Sequence, residues 1–185
     1  MSESEFSGRH VLITGGTRGI GKALADSLAD DGARLSLNYV SRTEDAAVAV
    51  ADVEAAGGQA VAVPGDVSTP AGAAVIVEAA RMAFGPIDML VNSAGVSRPL
   101  PADEITWDHW KNTLGVNLDG TFSMLYAVKD EMIERRYGRI VTVSSIAGLR
   151  ERENQLPYST SKAGVIALTR CAAQAWGRHN IRINC

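Results

Sequence analysis

HVLITGGTRGIG, residues 10–21, decides how this chain is read. Its opening, His10–Thr14, is a short and almost wholly apolar run, the mark of a strand buried on both faces of a sheet. Gly15, Gly19 and Gly21 then follow with GxxxGxG spacing and lead into a segment of helical period, 19–31. Glycines there permit a tight turn, let backbone approach a pyrophosphate, and let helix pack close to strand. The helix start adds unpaired N–H groups and a positive dipole end. A glycine-rich turn is an anion cradle only after a strand and before a helix, and that context is met here.

The same alternation repeats outward. RLSLNY (34–39), AVAVPGDV (60–67), DMLVNSAG (88–95) and RIVTVSS (139–145) read as further buried strands. Between them, 43–56, 70–84, a pair over about 103–136, and 157–178 read as helices. Apolar strands separated by helices imply a doubly wound parallel α/β sheet, Rossmann-type. LRERENQL (149–156) is polar and without period, a loop between the fifth strand and the next helix. IRINC (181–185) reads as the opening of a sixth strand, so the chain is expected to be truncated within it. No repeat or Pro/Gly-rich linker divides residues 1–185, which are expected to form a single dinucleotide-binding domain.

Composition narrows the function. The chain has 185 residues, 46% of them hydrophobic, enough for one sizeable core. Lys+Arg number 18 against 21 Asp+Glu, a net −3 with no electrostatic footprint for nucleic acid. The start, MSESEFSGRH, lacks the apolar core of a signal peptide, and no apolar run spans a bilayer. A cytoplasmic chain without membrane or nucleic-acid partners is the expectation. Cys171 and Cys185 are too few for a disulfide framework, and Cys171, inside a helical pattern, is expected to be a small core residue. His10, His109 and His179 are scattered and make no metal-ligand spacing.

Chemistry concentrates near the end. In YSTSK, Tyr158 and Lys162 stand four apart and share one helix face. An ammonium beside a phenol favours its phenolate and readies it to exchange a proton with a carbonyl or alkoxide oxygen. Ser145 stands thirteen residues upstream, at the end of a strand. Earlier in the chain, the second strand ends in NYVSR, with no Asp or Glu between Asn38 and Arg42 to accept from a ribose 2′-hydroxyl. Arg18 in the glycine turn and Arg42 past the strand instead offer two guanidiniums to a 2′-phosphate. The cofactor indicated is NADP(H) rather than NAD(H).

In order and spacing, TGGTRGIG (14–21), Asp66–Val67, NSAG (92–95), Asn117 in GVNLDGTF, Ser145 in VSSIAG, and YSTSK together resemble the short-chain dehydrogenase/reductase family. The likeness runs from Thr14 to Cys185 and is greatest to the kind that includes 3-oxoacyl-carrier-protein reductases. It implies that Tyr158 exchanges a proton with the substrate oxygen as hydride passes to or from the nicotinamide. Lys162 would ready the phenol and bond the nicotinamide ribose, Ser145 would hold the carbonyl oxygen, and Asn117 would anchor a water relaying protons to Lys162. Gly15, Thr17, Arg18, Gly19, Ile20 and Gly21 would hold the cofactor with Arg42. Asp66 would meet the adenine amino group beside Val67, while Asn92, Ala94 and Gly95 line the groove, Asn92 also bracketing neighbouring strands.

The resemblance implies reduction of a ketone or oxidation of a secondary alcohol, nearest to a 3-oxoacyl-thioester reductase of fatty acid biosynthesis. A sugar, polyol or steroid dehydrogenase is the alternative, and an inactive nucleotide-binding subunit is another. Two departures stand out. Ser93 replaces the second Asn of the usual NNAG, and the family's segment after the sixth strand, which covers the substrate, is absent from the sequence. Arg135, Arg136 and Arg139 complement a helix C-terminus or dock an acidic acyl carrier protein. The charges from Arg150 to Glu153 are read as a solvated loop overhanging the site. Phe122, Leu125, Val128 and Met132 form an apolar stripe, buried on the sheet or in the interface of a homodimer or homotetramer.

Overall fold

Each apolar run becomes a strand of one parallel sheet in the computed structural model, which describes residues 4–150 and 152–185. Residues 1–3 of the polar start and Glu151 of the charged loop lie outside the described residues. The strands are β1 (His10–Thr14), β2 (Arg34–Tyr39), β3 (Gln59–Pro64), β4 (Met89–Asn92), β5 (Gly138–Thr142) and β6 (Ile181–Asn184). Their order is β3-β2-β1-β4-β5-β6. The helices are α1 (Gly19–Asp30), α2 (Thr43–Ala55), α3 (Pro70–Phe84), α4 (Trp107–Leu114), α5 (Gly120–Arg135) and α6 (Leu156–Trp176). None of them is long and apolar enough to cross a membrane.

Alternate strand residues feed two cores, as the two-residue period of a strand requires. Leu12, Leu90 and Ile140 face Ile76 and Val77 of α3 and Met124, Leu125 and Met132 of α5. Val11, Ile13, Leu35, Leu37, Met89 and Val91 pack with Ala25 and Leu28 of α1 and Ala49 and Val53 of α2. Register aligns the carboxyl ends: Thr14 lies beside Asn92, and Asn92 beside Thr142.

Several ends differ from the sequence reading for local reasons. The strand expected over 60–67 stops at Pro64, because the Asp66 carboxylate accepts from Ser68 N at 2.9 Å and turns the chain. The strand expected over 139–145 stops at Thr142, and Ser145 opens a 3₁₀ turn, Ile146–Gly148. The helical pair over 103–136 resolves into α4 and α5, joined by a π-helical turn, Gly115–Asp119. In α3 the boundaries follow the caps: Pro70 at the start, with the Thr69 hydroxyl accepting from Gly72 N at 3.0 Å, and Gly85 after the end.

One burial expectation is met in part and one is corrected. Leu125, Val128 and Met132 are buried, but Phe122 is 43% exposed. At 3.6 residues per turn it lies roughly 90° round α5 from the centre of the other three. It shares that outer face with Tyr126, the rings 4.2 Å apart, and Tyr126 in turn meets Trp176 at 5.9 Å. Cys171 is exposed, because α6 turns Val165, Thr169 and Ala172 inward and leaves position 171 between them on the outer face.

Candidate active site

The strand order reverses direction between β1 and β4, and loops leaving their carboxyl ends part to open a crevice. A cleft of about 650 Å³ occupies it. The β1–α1 turn contributes Gly15, Thr17, Arg18, Gly19 and Ile20; the end of β2 contributes Asn38 to Arg42. Asp66 and Val67 line it after β3, and Ser93 to Val96 after β4. Gly21 is buried behind the turn, where an added Cβ would run into the carbonyl oxygen of Gly15. The turn therefore closes only on glycine, and it delivers the amino end of α1 to the cleft, the arrangement that suits a pyrophosphate.

One hydroxyl ties the two sides of the crevice. Thr14 Oγ1 accepts from both Ser93 N and Ala94 N at 3.1 Å. These bonds use the backbone N–H of Ser93, which is why a serine serves at this position. Asn92 lies beneath, 5% exposed and not among the cleft-lining residues. Its carbonyl accepts from Val143 N at 2.9 Å, and neither end of its buried amide has a partner among the described residues. Asn38 was missed as a site residue. Its amide donates to Val63 O at 3.1 Å and Gly65 O at 3.0 Å, fixing the turn that presents Asp66. Arg18 and Arg42 are exposed at the cleft; Arg42 reaches Asp45 at 3.4 Å.

α6 stands behind the Gly95 wall of the cleft, where a Cβ on Gly95 would lie 3.6 Å from Lys162 Nζ; Asn117, Ser145, Tyr158 and Lys162 are not among the cleft-lining residues. Tyr158 is half-buried in the first turn of α6, and Lys162 is 5% exposed one turn on. Lys162 Nζ lies 5.8 Å from the Tyr158 ring centroid and donates to Val143 O at 2.7 Å. Burial pushes this amine below the ordinary lysine range. Ser145 Oγ accepts from Ala147 N at 3.1 Å, while the neighbouring Ser144 donates to Lys162 O at 2.9 Å and fastens the β5 end to α6. Asn117 sits in the π-helical turn, 1% exposed. Its Oδ1 accepts from Val96 N at 2.8 Å and its Nδ2 donates to Val96 O and to Ser161 Oγ, both at 3.0 Å. Its main-chain carbonyl accepts from the Thr121 hydroxyl at 2.8 Å.

The arginine cluster lies elsewhere. Arg135 pairs with Asp88 at 2.9 Å, and Arg139 donates to Asn180 O at 3.1 Å. Both stand at the amino ends of β4 to β6, the opposite end of the sheet from Ser145 and Tyr158.

The sequence matches the family described as short chain dehydrogenase over residues 9–185. It is 39% identical over 180 residues to L-rhamnose 1-dehydrogenase (NAD(P)(+)) of Sphingomonas sp. (strain SKA58), covering 97% of this chain and 71% of that protein. Against 3-oxoacyl-[acyl-carrier-protein] reductase of Synechocystis sp. (strain ATCC 27184 / PCC 6803 / Kazusa) the identity is 34% over 174 residues, covering 94% and 70%. The solved structure of NAD+-bound xylitol dehydrogenase superposes with a TM-score of 0.93 at 36% identity, covering 97% of this chain and 69% of that one. The chain belongs to the short-chain dehydrogenase/reductase family and is an oxidoreductase, of a fold that binds a nicotinamide cofactor.

Proposed function

We propose that this chain, read as one dinucleotide-binding unit, interconverts a ketone and a secondary alcohol with NADP(H). The observation that carries the reading is the buried amine of Lys162, 5.8 Å from the Tyr158 ring, beside a glycine-turned cleft. When bound, the nicotinamide supplies or accepts the hydride. Tyr158 gives the proton that completes the new hydroxyl, or takes it in the reverse direction. Ser145, whose hydroxyl both donates and accepts, holds the substrate oxygen in either oxidation state. Lys162 keeps positive charge near the phenol, and Asn117 offers the second lone pair of its main-chain carbonyl, beside the bond from Thr121, to a water that resupplies protons.

The cradle fits the cofactor. Gly15, Thr17, Gly19, Ile20 and Gly21 shape the pyrophosphate turn, Asp66 and Val67 border the adenine, and Ala94 and Gly95 form the wall toward Lys162. No acidic residue lies among Asn38 to Arg42 where they line the cleft, and Arg18 and Arg42 supply the charge for a 2′-phosphate. Relatives named for rhamnose and xylitol favour a sugar or polyol as substrate. The Synechocystis relative keeps a 3-oxoacyl thioester as the second reading. The arginine cluster lends that second reading no support, since a carrier docked there would face the wrong end of the strands. The exposed Phe122–Tyr126 face of α5 is the surface through which two copies would pair.

The test is NADPH oxidation by the chain with a panel of keto sugars, simple ketones and 3-oxoacyl thioesters, repeated with Tyr158→Phe. Turnover abolished by that substitution supports the reading. Tight NADPH binding without turnover on the whole panel makes the chain a nucleotide-binding subunit instead.

A further inference from the structure

Ser161 is no part of the expected reacting set, yet it is wholly buried between two members of it, at 0% exposure. Its hydroxyl donates to the carbonyl of Tyr158 at 2.7 Å and accepts from Asn117 Nδ2 at 3.0 Å. A hydroxyl has one proton. With that proton on Tyr158 O, only lone pairs remain for Asn117, and only the NH₂ end of an amide can meet them. The second hydrogen of that NH₂ goes to Val96 O, and Oδ1 accepts from Val96 N. The amide is thus consumed as a strut joining α6 to the loop after β4.

We propose that Ser161 is a positioning residue, locking Asn117 to the Tyr158 turn and so fixing the Gly95–Val96 wall beside Lys162. The spacing there is tight: a Cβ on Gly95 would lie 3.3 Å from Asn117 Oδ1 and 3.6 Å from Lys162 Nζ. A shift of that wall by a few tenths of an ångström alters the space next to the amine. Asn117 also needs a tether, because it sits in a π-helical turn where the regular backbone ladder is interrupted. The consequence for turnover rests on the function proposed above; the strut itself does not.

Ser161→Ala in the full chain tests this, since alanine is well tolerated in a helix interior. Amide hydrogen exchange is the readout independent of activity. The Val96 N–H is expected to exchange about tenfold faster or more, while the amides of Val165 and Thr169, farther along α6, keep their rates. In turnover, kcat is expected to fall about tenfold, the scale of one lost hydrogen bond, with KM for NADPH within about twofold. In an Asn117→Ala background the same substitution should add less than about twofold, since both act through one strut. Unchanged Val96 exchange, or full additivity, overturns the assignment. A wild-type chain that turns over no carbonyl overturns the hydride-transfer reading, and the exchange rates still decide Ser161.

Discussion

The amine of Lys162 donates to the carbonyl of Val143 at 2.7 Å, so that the end of β5 and the second turn of α6 share one buried cation. Burial opposes that charge and lowers the amine's pKa. Burying a charge that has no counter-ion carries a desolvation cost that an apolar side chain of similar length does not. Lys162→Met should therefore melt higher by about 2–4 °C in calorimetry, the shift of roughly 1 kcal/mol in a chain of this size. Turnover should fall by about 100-fold or more. A lower melting temperature would show that the bond to Val143 outweighs the cost of burial.

His10 is buried at the amino end of β1, with Nδ1 donating to Gly85 O at 3.0 Å and Nε2 accepting from Ser36 at 2.9 Å. Burial lowers its pKa below the ordinary value of 6.5. The unfolded chain then takes up the proton first as pH falls. Stability from the neutral ring is complete above about pH 6.5 and is lost as pH drops below it toward the folded value. Unfolding free energies from urea titrations at about pH 7.5 and about pH 5 should fall more for the wild type than for His10→Gln, by at most about 1.4 kcal/mol per pH unit. Parallel losses would remove His10 as the source.

Gly148 ends the turn that Ser145 begins, and it lies against the backbone of α6. A Cβ there would come 2.7 Å from the carbonyl carbon of Lys162 and 2.8 Å from Ala163 N, main-chain atoms that cannot swing aside. Gly148→Ala should cost about 1–3 kcal/mol in urea unfolding. It should lower kcat while NADPH affinity stays within about twofold, because the displaced turn carries Ser145 and not the glycine cradle. An affinity loss equal to the loss in kcat would contradict this division.

Arg42 stands 64% exposed at its side chain on the rim of the cleft, paired with Asp45 at 3.4 Å. Arg42→Ala should weaken NADPH binding about tenfold and leave NADH nearly unchanged, as one lost charge-assisted contact predicts. Fluorescence titration with both nucleotides checks it. Equal losses would remove the 2′-phosphate assignment.

Tyr126 packs between Phe122 and Trp176 and is 49% exposed. If copies pair through this face, Tyr126→Glu should shift the sedimentation coefficient to that of a monomer without lowering the helix content. A wild-type chain that already sediments as a monomer would rule the pairing out.

The architecture was legible because its signals are local. Five apolar runs and the spacing of Gly15, Gly19 and Gly21 are contiguous patterns, and each became the element expected within a few residues. YSTSK likewise carries its own geometry, since positions 158 and 162 of a helix must share a face. Ser161 was not legible: its partner Asn117 comes from 44 residues away, brought near by a π-helical turn that has no sequence pattern of its own. Arg135 looked like part of a basic patch because Asp88, its partner, is 47 residues distant. Phe122 leaves the sheet-facing stripe because spacings of three drift round a helix of 3.6 residues per turn.

The fork held shut by Thr14 Oγ1 bears on how anything enters the crevice. The loop after β4 is already bolted to the threonine that ends β1, so this part of the host has little left to organise when a guest arrives. Most of the freedom surrendered on association then belongs to the incoming nucleotide, and preorganisation of this kind favours a tight complex from few contacts.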